Sequence, residues 1–207
     1  TGHKERSGMD MGEKGYGTFA SNKTFRYSLE NSGYGVREIS LEHPVAEDIN
    51  IIVLADMRSD FTEEEFRNFD AYLERGGNLF ILGEPKRQQF MNPVIERLGL
   101  RFADGIIVSP SEVNLDDLVA ANIKEGAAKV SENYIRYFRS GYSIMTPSAC
   151  AVEVIDSAKG FEITEVLASA GKGSWVEKET TDFINEKSVL NPAVGEVEKA
   201  NSIMLYL

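Results

Sequence analysis

The side chains most often recruited for catalysis are scarce in this sequence, which has one cysteine and two histidines in 207 residues. Cys150 lies in Pro147-Ser148-Ala149-Cys150-Ala151-Val152-Glu153, which continues into the β-like Val154-Ile155. A nucleophile elbow needs small residues on both sides of a sharp strand-to-helix turn, so this setting reads instead as a small buried residue at a strand start. Ser59 and Ser109 also follow strand-like runs, but neither has flanking glycines. His3 lies near the chain end and His43 precedes Pro44 in a loop, and no spacing marks either as the base of a Ser/Cys-His-Asp arrangement. His3 and Glu5 could face one side of an extended loop, yet with no identifiable third ligand they make a surface pair rather than a zinc site. Gly15-Tyr16-Gly17, Gly76-Gly77 and Gly171-Lys172-Gly173-Ser174 lack the spacing that cradles phosphates, so they read as turns. The sequence therefore nominates no catalytic residue, no metal and no cofactor.

It does nominate a polar constellation. His3, Glu5 and Arg6 form one loop, Asp56 and Arg58 follow a strand ending at Ala55, and Glu84, Lys86 and Arg87 follow another ending at Gly83. In an open α/β sheet such loops line the crevice at the C-terminal strand ends, where ligands bind. The competing reading is local capping and exposed ion pairing, worth about 0 to 1 kcal/mol per pair. Trp175, in a Gly/Ser loop, is a second candidate contact, either as a stacking or docking surface or as a lid over a sheet edge.

The elements that must position these residues are clearest around Ile49 to Ala55, a near-continuous apolar run typical of a parallel strand buried on both faces. Thr62 and Glu65 have capping-box spacing, and Phe61 and Phe66 occupy the two positions of a hydrophobic staple. Phe66, Phe69 and Leu73 mark one helical face, Gly76-Gly77 stops the helix, and Leu79 to Gly83 is the next strand. Similar logic predicts a helix containing Phe25 and Leu29 and closed at Gly33, then a strand over Val36 to Leu41. Asn92-Pro93 reads as N-cap and first turn of a short helix through Leu98, stopped by Gly99, followed by a strand at Gly105 to Val108. Val130, Tyr134 and Phe138 predict a helix before Gly141, where Ile135, Tyr137 and the aromatic density would also suit a strand, and strands are expected at Ala149 to Ile155, Glu162 to Leu167 and Ser202 to Leu207. No internal repeat or low-complexity linker is present, and Asn114 to Ala128 is the weakest candidate for a domain boundary. The fold expected is one α/β domain over residues 1–207, an open, mostly parallel, flavodoxin-like sheet flanked by helices, with a β-rich C-terminal part. The opening loop looks like the end of a first strand lying outside this sequence.

Composition narrows the partners. A chain of this length can bury roughly 70% of its unfolded surface in one core. The net charge of −11 repels nucleic acid and anionic lipid headgroups. No run approaches the ~20 apolar residues of a membrane span. A single cysteine leaves the redox compartment open.

Thr1-Gly2-His3-Lys4-Glu5 resembles a TGHGE-type loop, and the runs Asp56 to Phe61, Arg75 to Leu79 and Ser174 to Glu177 fit the same pattern in order and spacing. Over nearly its whole length the chain resembles the GldG-like auxiliary components of bacterial ABC-2 type transporters, some of which are associated with gliding motility. That resemblance implies a fold akin to class I glutamine amidotransferases and an extracytoplasmic domain of a larger membrane subunit. It implies membrane attachment through segments outside this chain and partnership with a permease and a separate ATPase. Lys4 stands where the pattern has its second glycine, which argues against a tight backbone approach to a ligand at that loop. Three functions follow: a noncatalytic auxiliary domain that binds a partner or cargo, an amidotransferase-like hydrolase using Glu5, Asp56 or Glu84, or a carbohydrate-binding module stacking sugars on Trp175 and tyrosines. A small-molecule or glycan ligand is compatible with the first; the absence of catalytic machinery favours it over the second.

Overall fold

The computed structural model describes residues 2–13, 15–156 and 160–207, so Thr1 of the TGHGE-like loop lies outside the described residues. Packing divides the chain into two compact units, Thr1–Leu82 and Gly83–Leu207.

In the first unit a short helix α1 (Gly17–Ala20) precedes β1 (Ile51–Ala55), helix α2 (Glu63–Glu74) and β2 (Asn78–Leu82). The β1-α2-β2 segment forms in the predicted order, but β1 is not buried on both faces as its apolar run suggests: Ile51 and Val53 are exposed while Ile52 and Leu54 are buried. Thr62 Oγ1 accepts from the Glu65 backbone N–H at 3.3 Å while Glu65 Oε2 accepts from the Thr62 N–H at 2.7 Å, a reciprocal capping box. The Phe61 and Phe66 rings meet at 5.3 Å. Glu65, Phe69 and Tyr72 are buried at i, i+4 and i+7, a face one position offset from the predicted Phe66, Phe69 and Leu73 stripe. The helix stops where Gly76 enters the left-handed region at φ 85°, and a Cβ on Gly77 would stand 2.3 Å from the Tyr72 ring. With α2 as the crossover, β2 pairs parallel to β1, Ile51 opposite Asn78 and Ala55 opposite Leu82.

Residues 21–50 depart from expectation. In place of the helix through Phe25 and Leu29 there are turns and one 3-10 turn at Glu30–Ser32, and Val36 to Leu41 is not a strand. Asn31 Nδ2 donates to the carbonyls of Asn22, Lys23 and Phe25, and Ser32 Oγ donates to Ser28 O. These side chains offer the backbone partners that compete with a helix. Asn68 and Arg75 of the α2 region then hold the loop by donating to the carbonyls of Leu41, Val45 and Ala46.

The second unit contains α3 (Gln88–Ile95), β3 (Leu100–Phe102), β4 (Ile106–Val108), β5 (Leu118–Ile123), α4 (Glu132–Arg139), β6 (Ser143–Pro147), β7 (Val152–Val154), β8 (Thr164–Ala168), β9 (Trp175–Glu177) and β10 (Ser202–Tyr206). Helix α3 begins before the predicted Asn92 cap and carries Pro93 in its interior. Asn92 instead clamps Phe102, its Oδ1 accepting from the backbone N–H at 2.9 Å and its Nδ2 donating to the carbonyl at 3.1 Å.

The open parallel sheet is overturned. Among the described residues only β1 and β2 pair in parallel; β10-β8-β5-β6 is an antiparallel sheet, and β3/β7 and β4/β9 are antiparallel pairs. The flavodoxin-like and amidotransferase-like readings of the fold fall with it. An apolar run reports burial and carries no information on strand direction. The run at Ile106–Val108 is fully buried, as a parallel strand would be, yet it runs antiparallel to β9. β5, within the stretch that offered a weak boundary candidate, is interior to the four-stranded sheet: Val119, Ala121 and Ile123 are buried on one face.

Candidate functional site

The polar residues nominated in the first unit come together where β1 ends. Arg6 N–H donates to Ala55 O at 3.2 Å and Arg58 N–H donates to His3 O at 2.9 Å, so two backbone bonds fasten the His3 to Arg6 loop against the end of the strand. Asp56, the first residue after β1, is 1% exposed and holds φ 51°. Its Oδ2 accepts from Arg58 Nε at 3.1 Å and Nη2 at 2.5 Å, and lies 3.4 Å from Arg6 Nε. A buried carboxylate between two partly exposed guanidiniums is stable because both charges compensate its desolvation. The Arg6 guanidinium also lies 5.7 Å from the centre of the Tyr16 ring.

A second cluster adjoins the first. His3 is buried against Phe61, its Nδ1 3.3 Å from Glu5 Oε1 and its Nε2 3.2 Å from Glu65 Oε1. Glu5 Oε2 accepts from the His3 N–H at 2.9 Å. Burial alone would raise the Glu65 pKa, but the bonds from the Thr62 backbone and hydroxyl, together with His3, outweigh it and hold the carboxyl below its ordinary value. Glu65 thus serves two purposes, capping α2 and positioning His3. Sequence reasoning found the first through the capping box; the second links residues 62 positions apart and left no local signal.

Lys4, between His3 and Glu5 in the chain, has φ 56°, the left-handed conformation for which the TGHGE pattern supplies glycine. The loop thus keeps the backbone geometry of the pattern with a lysine side chain exposed on it. Beside the loop is a cavity of about 370 Å³, walled by the strand β1, by Phe19 and Phe80, and at its polar end by His3, Glu5 and Arg6. Among the described residues β1 has a strand neighbour on one edge only.

The other nominated residues belong to the second unit. Glu84, Lys86 and Arg87 share one tight loop in which Arg87 N–H donates to Glu84 O at 3.2 Å. Lys86 has φ 64° and donates through Nζ to Thr181 Oγ1 at 3.2 Å. Trp175 is 6% exposed, packed with Ile106, Val108 and Phe183, and its indole N–H donates to Glu177 Oε2 at 3.3 Å. Its ring faces are core, so an exposed stacking surface at Trp175 is corrected to a packing role. Cys150 is also buried, and burial, reinforced by the charge of Glu84, pushes its pKa up to about 12, which keeps the thiol protonated at neutral pH. His43 is exposed on its loop.

Among the described residues, three of the four non-glycine residues with positive φ, Lys4, Asp56 and Lys86, fall in the three strand-end loops picked out by sequence. Such conformations cost of order 1–3 kcal/mol each and persist where the surrounding structure enforces them.

Comparison with known proteins gives a family. The model of a family described as an ABC-type uncharacterized transport system matches residues 1–183. No curated protein matches the chain. Among solved structures the chain is similar to one titled "mmIFT52 N-terminal domain", at 19% identity over 70% of this chain and 68% of that one, with a TM-score of 0.49.

Proposed function

From the premise that the chain belongs to the ABC-type uncharacterized transport system family, as a GldG-like auxiliary component, we propose that it is a noncatalytic domain that binds another subunit of its transporter. Membership in a transport system implies a membrane setting and further subunits. The finer reading is a domain on the extracytoplasmic side of a bacterial membrane, contacting a permease whose ATPase is a separate polypeptide. The surface proposed for recognition is presented in the first unit by Lys4, Arg6 and Arg58, which His3, Glu5 and buried Asp56 hold in place; the Glu84 to Arg87 loop of the second unit is a separate candidate contact.

The observation that carries this reading is the preorganised charge at the end of β1. Asp56 is buried and left-handed, and two guanidiniums are aimed by it; Arg58 keeps a side chain 40% exposed. Fixing guanidiniums in place before contact lowers the entropy lost on binding a carboxylate or carbonyl of a partner. No comparable preorganisation surrounds Cys150, whose thiol is buried and protonated.

The test is affinity for the transporter subunits encoded with this chain. Reversing Arg58 would place a second carboxylate against buried Asp56 and confuse binding with folding, so the informative variant is Lys4→Glu, which reverses an exposed charge on the same loop. It should weaken binding about tenfold or more while melting like wild type, whereas Lys172→Glu, an exposed reversal in the second unit, should not. Equal affinity of two folded variants removes this loop from the interface.

A further inference from the structure

Helix α4 and the start of β6 present an aromatic surface that the second unit does not cover. No residue of α4 is buried. Tyr134 packs toward the Ala121 and Ile123 cluster, which leaves Tyr137 and Phe138 exposed by 37% each, followed by Tyr142 at 62% and Ile144 at 41%. The Tyr137 and Tyr142 rings meet edge to face at 5.9 Å, and Tyr142 N–H donates to Tyr137 O at 3.1 Å, so the helix end and the strand start form one surface. Ile144 pairs with Ala121 across β6 and β5, which puts its side chain on the sheet face against which α4 packs.

The charge of this surface opposes that of the chain. From Asn133 to Val152 there is no acidic residue, but there are two arginines, Arg136 and Arg139, in a protein of net charge −11. Both lie in the last turn of α4, and the Arg136 guanidinium stands 5.4 Å from the centre of the Tyr137 ring. Glu132, in the first turn, is the acidic residue of the helix.

We propose that this surface docks on a phospholipid bilayer with anionic headgroups. Tyrosines bury an apolar ring and keep a polar tip, the distribution favoured at the level of the headgroups, while phenylalanine and isoleucine reach the acyl boundary. Arginine binds phosphate oxygens in a fork and keeps its charge under all conditions. An acidic protein partner would also meet the arginines. The bilayer is the occupant favoured here because exposed aromatic rings stand beside the two arginines, the combination that suits a headgroup layer, and because the family serves a transport system. The acidic remainder of the chain is repelled by such a surface, so contact is confined to this patch and the domain is oriented on the membrane. This docking is independent of the His3 to Arg58 cluster and stands or falls separately from the proposed subunit contact.

The experiment is co-flotation of the whole chain with vesicles of phosphatidylcholine alone or of phosphatidylcholine with 30 mol% phosphatidylglycerol, used in both cases without other proteins. Wild type should float with the anionic vesicles and lose that association in high salt. Arg136→Gln with Arg139→Gln should reduce the bound fraction roughly tenfold or more, from about fivefold per charge. Tyr142→Ser, at the most exposed ring, should reduce it on anionic vesicles too. Lys4→Glu and Lys172→Glu should float like wild type, and circular dichroism melts should show all variants folded. Absence of wild-type flotation, or equal flotation of the arginine variant, overturns the proposal. Binding of the patch to a soluble acidic protein, with vesicles ignored, overturns it as well and reassigns the surface.

Discussion

Asp56 and Glu65 show how a single carboxylate is made useful by what surrounds it. Asp56 is compensated by Arg6 and Arg58 and acts as the fixed point of the loop, whereas Glu65 joins the helix cap to His3. Because the folded-state pKa of Glu65 is depressed below 4.5, its contribution to stability is fully present above that value and is lost as pH falls through the lower folded value. Glu65→Gln keeps the shape but not the charge. It should therefore be less stable than wild type at neutral pH, and the difference should shrink below about pH 4.5. Asp116 is likewise depressed, through bonds from Ser188, Lys187 and Ser111 that outweigh its burial, so acid will destabilise the variant too and the comparison must be made between the two proteins at each pH. Urea melts across pH 3 to 7 measure this; a constant difference over the whole range would show that Glu65 gains nothing from ionisation. The identities of His3, Glu5, Arg6, Asp56 and Arg58 were legible in the sequence as a mixed-charge set, but the participation of Glu65 and the burial of Trp175 were not. Nothing local distinguishes an indole that covers a sheet from one that faces water.

At the scale of the element, the segment from β1 to β2 was legible because each of its signals is local. The capping box, the staple and the glycine stop all act within one or two helical turns, and each appears where the spacing puts it. The energies of these signals differ. Thr62→Ala removes a cap and should cost about 1 kcal/mol, while Phe69→Ala empties a site with no exposure and should cost about 3 to 5 kcal/mol. Chemical denaturation of the two variants tests the assignment of the buried face, and a near-neutral Phe69→Ala would refute it. The segment from Phe25 to Leu41 was misread for the converse reason. Its apolar spacing is compatible with helix and strand, but Asn31 and Ser32 bond neighbouring carbonyls and Asn68 and Arg75 hold the loop from a distance.

For the whole molecule, the family makes the chain an auxiliary component of an ABC transport system, and the proposed noncatalytic role has a direct test. The isolated chain should show no esterase, amidase or nucleotidase activity above background in a substrate panel; robust activity abolished by Cys150→Ala or His3→Ala would replace the binding role with an enzymatic one. The order of elements from β1 to β2, the polar character of the loop after β1, the poor setting of Cys150 and the family resemblance were determined by sequence alone, because each is written in neighbouring residues or in their order along the chain. Tertiary structure decided which strands pair and in which direction. It placed β5 in the middle of an antiparallel sheet, turned β4 against β9, and brought Glu65 to His3. Periodicity reports that a face is buried. It cannot report against what, since hydrophobic burial is non-directional and the hydrogen bonds that fix strand direction join residues whose separation in sequence leaves no local trace.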